Sequence, residues 1–79
     1  MARLVTTSGD VNEITIETLL QMQEILGGKI VFLRGLEDWL FAARVNAKEL
    51  GMNKNPKASH LAGITIYGNV ILFEKNELY

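Results

Sequence analysis

The chain's one histidine, His60, stands beside Ser59, the pair of residue types from which hydrolases build a nucleophile and its base. Such a pair works only when the base reaches the hydroxyl and a third group orients it. Both residues fall in a predicted helix, where neighbouring side chains point about 100° apart, so they cannot form a dyad within one chain. With no cysteine there is no thiolate nucleophile, disulfide or thiolate metal site, and one histidine leaves a histidine-based metal site without ligands. Glu37 and Asp38 adjoin in a predicted turn, and Glu13 and Glu17 share one face of a predicted strand. Both sets read as solvated surface rather than as a paired acid and base. Gly27-Gly28-Lys29 follows a helix and precedes a strand, the reverse of the order that phosphate loops and dinucleotide sites require. No catalytic residue, metal or cofactor is predicted, and the chain reads as non-enzymatic.

Charge is more informative. Residues 44–60 hold Arg44, Lys48, Lys54 and Lys57 against Glu49 alone, a local charge of +3 in a chain whose net charge is −1, which leaves −4 for the rest. That basic stretch contains Asn55-Pro56, a predicted helix start where free N–H groups and the helix dipole favour an anion. Arg34 or Arg44 from neighbouring strands is expected to reach the same anion, and Trp39 or Tyr67 to offer a flat surface for a base. The candidate ligand-binding set is therefore Arg34, Trp39, Arg44, Lys54, Asn55, Lys57 and His60. Eight Lys plus Arg against nine Asp plus Glu argue against duplex binding, and two candidate aromatics are few for a single-strand groove.

Positioning those residues falls to a short chain. Seventy-nine residues with 48% hydrophobic and 22% charged content predict one domain, 1–79, with a small core that self-association would extend. The opening Met1-Ala2-Arg3-Leu4-Val5-Thr6 carries no long apolar run, and no stretch approaches the ~18 apolar residues of a membrane span, so a cytoplasmic protein is expected. Arg3 to Thr7 and Val11 to Glu17 alternate around Ser8-Gly9-Asp10 and predict a hairpin. From Thr18 the spacing of Leu19, Leu20, Met22, Ile25 and Leu26 turns helical. Thr18 and Gln21 form a capping-box pattern and Gly27 closes the helix, which predicts an amphipathic helix over about 18–26.

Lys29 to Arg34 and Trp39 to Val45 are apolar on both faces and predict central strands, joined through Gly35-Leu36-Glu37-Asp38 as an antiparallel pair. The first helix covers one face of that sheet, and the other is expected to be covered by a partner subunit. Asn46 to Lys54 predicts a turn or small hairpin. Asn55-Pro56 and Gly63 bracket a short helix over about 56–62, with asparagine as cap, proline at the first helical position and glycine at the end. Ile64 to Phe73 is β-rich with a hairpin turn, bulge or kink at Gly68-Asn69, and Glu74 to Tyr79 is polar and expected to fray. The fold class is α+β, a small mostly antiparallel sheet with one amphipathic and one short helix.

The run from Leu20-Gln21 to Gly27-Gly28, then Asn46, Asn55-Pro56-Lys57-Ala58, and Gly68 before Val70-Ile71-Leu72 resembles a small domain family of unknown function from phages, plasmids and other mobile elements. The resemblance covers nearly the whole chain and departs at Ala47-Lys48-Glu49, where the family more often has an acidic residue and a glycine. It implies an α+β fold and a bacterial host cytoplasm, and supplies no catalytic residue. The resulting expectation is a counter-defence protein that sequesters a small anionic ligand such as a nucleotide immune signal. The alternative is an inhibitor or adaptor that binds a host protein with its uncovered sheet face or with the edge at Ile64 to Phe73.

Overall fold

A computed structural model describes residues 2–35 and 39–73. The predicted connection between the two central strands at 36–38, including the Glu37–Asp38 pair, and the expected fraying of 74–79 lie outside the described residues. The elements are β1 (Ala2–Val5), β2 (Val11–Ile14), α1 (Leu19–Leu26), β3 (Ile30–Arg34), β4 (Leu40–Arg44), α2 (Pro56–Ala62) and β5 (Val70–Phe73). All neighbours in the five-stranded sheet, ordered β2-β1-β5-β4-β3, are antiparallel. The α+β class holds, and both helices lie within a residue of their predicted bounds.

Local chemistry accounts for both helices. At the start of α1 the Thr18 hydroxyl accepts from the Gln21 N–H at 3.2 Å, while the Gln21 amide oxygen accepts from the N–H groups of Thr18 (3.2 Å) and Glu17 (2.6 Å). Two of the donors a helix entry leaves unpaired, and the N–H of the residue before the cap, are thus satisfied by two side chains. Gly27 ends α1 at φ 90°, a conformation that costs glycine little. Asn55 caps α2, Pro56 opens it, and Gly63 closes it at φ 76°.

Strand alternation sends side chains to two layers. Ala2, Ala42, Ile71 and Phe73 face α1, where Met22 and Leu26 pack on them. Val5, Phe41, Ala43, Val70 and Leu72 face α2, where Ala58, Ala62 and Ile66 pack on them. The second face is therefore covered by α2 and its flanking loops, not left for a partner subunit. Small residues make this possible: Ala58 and Ala62 let α2 lie close to the sheet, and a Cβ on Gly35 would sit 2.7 Å from the Phe41 ring and 2.8 Å from the Ala62 backbone.

The order of strands departs from the sequence expectation in two places. β5, not β3, is the middle strand, buried at all four positions between β1 and β4. β3 is an edge: Val31 and Phe32 remain 41% and 47% exposed, so its apolar character on both faces reflects an open flank rather than a central position. The edge expected at Ile64 to Phe73 is correspondingly closed. Ile64 to Tyr67 forms only a bridge, Tyr67 to Lys54, and the chain then kinks at Gly68 (φ 77°) without a hairpin partner before entering β5. Residues 46–52 form a turn, with Leu50 N–H donating to the Asn46 carbonyl and Met52 N–H to that of Ala47.

Candidate functional site

The seven predicted ligand residues divide among three places. Asn55 is fully buried. Its amide nitrogen donates to the carbonyls of Val5 and Gly68, both at 2.9 Å, and its oxygen accepts from the Ala58 N–H at 3.1 Å. Both donors and one acceptor direction of that side chain are used inside the fold, where it ties α2 to β1 and to the entry of β5. It closes the helix start rather than presenting it.

Arg44 is likewise committed. Its Nη1 donates to the Val45 carbonyl at 2.7 Å and, more loosely, to that of Lys29 at 3.4 Å. The guanidinium lies against Gly28, where an added Cβ would be 2.7 Å away. This arginine seals the corner between the end of α1 and the β3–β4 ladder. Arg34 stands at the other end of that ladder: it is exposed and pairs with Leu40, whereas Arg44 pairs with Ile30. Four strand residues separate the two ends, about 13 Å at the usual rise.

Trp39 is half-buried against the core on the α2 face, and its carbonyl accepts from the Gly35 N–H at 2.7 Å. It belongs to the end of the sheet where α2 finishes, and the pairing that puts Arg34 opposite Leu40 places Arg34 on the opposite face. Lys54, Lys57 and His60 are all exposed, with Lys57 and His60 three residues apart on α2. The expected convergence on the start of α2 is thus limited to Lys54 and Lys57. Ser59 is occupied as well: its hydroxyl accepts from the Ile66 N–H at 2.7 Å and donates to the Ile66 carbonyl at 3.3 Å.

A different basic–aromatic grouping forms in its place. Lys54 bridges Tyr67, and the Lys48 ammonium stands 5.9 Å over the Tyr67 ring, within cation–π range. Lys48 and Tyr67 border a shallow cleft of about 190 Å³ that also touches Val31 and Leu33 of β3. The sequence held the lysines and the tyrosine, but their pairing across 13 and 19 residues depends on the loop that carries Ile64 to Tyr67 under α2.

A larger concavity than that cleft lies on the α1 face, away from the basic stretch. It encloses about 570 Å³ between the start of α1 and the sheet, walled by Ile16, Leu19, Met22, Phe32, Leu40 and Phe73, with Glu17 and Thr18 at its polar margin. The rings of Phe32 and Phe73 stand 6.4 Å apart and tilted at 46°, which gives the floor an aromatic edge. The sequence pattern put Leu19 and Leu20 on the packed face of α1, but only Met22 and Leu26 are buried there; Leu19, which lines the groove, is 53% exposed and Leu20 62%. Their apolar type in the first turn of a helix, where acidic residues are usual and none is present, was the sequence signal for this surface.

Of the carboxylates in residues 4–28, Glu17 lines the groove, whereas Glu13 pairs with Arg3 on the other face of the sheet. The result is an apolar groove with one carboxylate at its margin. Among the described residues no group of three His, Cys, Asp or Glu side chains is placed to hold a metal ion. No described helix is long and apolar enough to cross a membrane. Comparison with family models, curated proteins and solved structures found no match for this chain.

Proposed function

We propose that this is a non-enzymatic binding protein whose α1-face groove seats an apolar segment of a partner protein flanked by lysine or arginine. The observation that carries the reading is the groove itself. Its ~570 Å³ falls within the ~300–1,000 Å³ of ligand pockets. Leu19, one of its walls, stays 53% exposed. The Glu17 carboxylate at the groove margin favours a cation beside such a segment. The non-enzymatic reading is supported by the commitment of Ser59 to the Ile66 backbone, which takes the one hydroxyl beside the histidine out of use. In the phage or mobile-element setting implied by the sequence resemblance, the partner is a host protein and the protein acts as an inhibitor or adaptor.

A second reading, sequestration of a small anionic ligand such as a nucleotide, is favoured by Lys48 and Lys54 flanking Tyr67. One experiment separates the two. Peptides selected from a display library on the purified protein, and a panel of mono-, di- and cyclic nucleotides, are each titrated against Leu19→Glu and Lys54→Glu/Lys57→Glu variants. The groove reading expects selected peptides to be apolar and basic, and their binding to fall at least tenfold in Leu19→Glu while the lysine variant keeps it. Nucleotide binding lost only in the lysine variant, with no peptide selected, would replace the first reading with the second.

A further inference from the structure

We infer that the β3 edge is a homodimer interface, in which two copies pair β3 antiparallel about Phe32 and join their sheets into one of ten strands. The inference is independent of what the groove binds. It starts from which backbone groups of β3 are already used. Gly35 N–H donates to the Trp39 carbonyl and Val45 N–H donates to the Lys29 carbonyl, so the odd-numbered residues of β3 point their N–H and C=O groups at β4. Antiparallel ladders alternate, so Ile30, Phe32 and Arg34 point theirs at the open flank. No hydrogen bond to those outward groups exists among the described residues.

Three evenly spaced outward residues match a second copy of themselves in one register better than in any other. With Phe32 opposite the partner subunit's Phe32, Ile30 faces the partner subunit's Arg34 and Arg34 faces the partner subunit's Ile30. All three then donate once and accept once. A shift of two residues either way leaves one of the three unpaired, and a shift of one puts inward-facing groups opposite outward-facing ones.

Side chains agree with that register. Phe32, 47% exposed, projects on the α1 face and would meet its own symmetry mate at the two-fold axis. On the α2 face Val31, 41% exposed, would stand opposite the partner subunit's Leu33. Apolar surface is therefore covered on both sides of the new ladder. The cations that flank the strand do not oppose it: Lys29 and Arg34 differ in parity and lie on opposite faces, so neither is placed against the other across the axis.

The sheet's other edge lacks these properties. β2 presents Asn12 and Glu13 and is exposed at three of its four positions, the polar character that discourages edge pairing. A β3-to-β3 contact also closes on itself, whereas β3-to-β2 would grow without limit. An isologous dimer is the outcome that satisfies β3 and stops.

The test is the mass of the 79-residue protein by sedimentation equilibrium from micromolar to submillimolar concentration, for the wild type, Phe32→Pro and Phe32→Lys. Proline at 32 removes an outward N–H and leaves the β3–β4 ladder intact, and lysine places two like charges at the axis. Far-UV circular dichroism checks that each variant is folded. The wild type is expected to reach twice the 8.8 kDa chain mass and both variants to halve it. A wild-type monomer at submillimolar concentration would overturn the inference and leave the edge to a foreign strand. A dimer that survives both variants would place the interface elsewhere, and a mass that climbs past two chains would indicate β3-to-β2 growth. Should the variants not fold, amide exchange on the wild type decides: protection of Ile30, Phe32 and Arg34 that rises with concentration supports the dimer, and solvent-like exchange at these amides refutes it.

Discussion

Replacing Asn55 by alanine tests the central claim about the basic stretch, that its best-placed polar residue holds the fold together rather than a ligand. The side chain makes three hydrogen bonds, at 2.9, 2.9 and 3.1 Å, and none of its surface reaches solvent. Each buried bond of this kind contributes about 1 kcal/mol net, and each partner left unsatisfied costs at least that much. Truncation is therefore expected to cost ~3 kcal/mol, a quarter or more of the ~4–12 kcal/mol available to a domain of this size. At ~4–8 °C per kcal/mol the melting temperature falls by roughly 12–24 °C. Asn55→Ser separates the parts. A serine oxygen still caps the Ala58 N–H, so serine is expected to recover ~1 kcal/mol while the Val5 and Gly68 carbonyls stay unpaired. Urea unfolding followed by far-UV circular dichroism reads both variants. A loss below ~1 kcal/mol for alanine, or serine no better than alanine, would refute the reasoning.

Two glycine substitutions probe different physics by the same titration. Gly35→Ala forces a methyl to within 2.8 Å of the Phe41 ring and the Ala62 backbone, so α2 must lift, at a cost of ~1–3 kcal/mol. No change would mean that α2 sits higher on the sheet. At Gly27 an added Cβ meets no atom within 4 Å but the residue is held at φ 90°, so the cost of Gly27→Val, ~1 kcal/mol or more, comes from the backbone conformation. A neutral result would mean that α1 ends elsewhere.

Signals that act within one turn of chain were legible in the sequence. Thr18 with Gln21, Gly27, Asn55-Pro56 and Gly63 marked both helices because caps and left-handed ends are satisfied by residues three or four apart. The N-cap role of Asn55 was readable for that reason. Its other two bonds, to carbonyls 50 and 13 residues away, were not. Arg44 counted towards a basic patch because charge is visible in sequence, while the carbonyls that take up its guanidinium depend on where β3 and β4 end. Alternation along a strand divides its side chains between two faces but carries no information on strand order. β3 looked central because an open apolar edge and a buried strand have the same composition.

The middle position of β5 bears on how the chain reaches its native state. The β1–β2 and β3–β4 hairpins are local and can each close in microseconds, yet no ladder hydrogen bond connects them directly. Only the strand made after both joins them, by inserting between β1 and β4 in register with each. Folding is therefore expected to wait on one late, long-range event despite the chain's small size. Until it occurs, four inner strand flanks rather than two outer ones stand open to mispairing. The same geometry makes Val70 to Phe73 the point of failure in reverse, since pulling out this one strand divides the sheet into two hairpins at a single stroke.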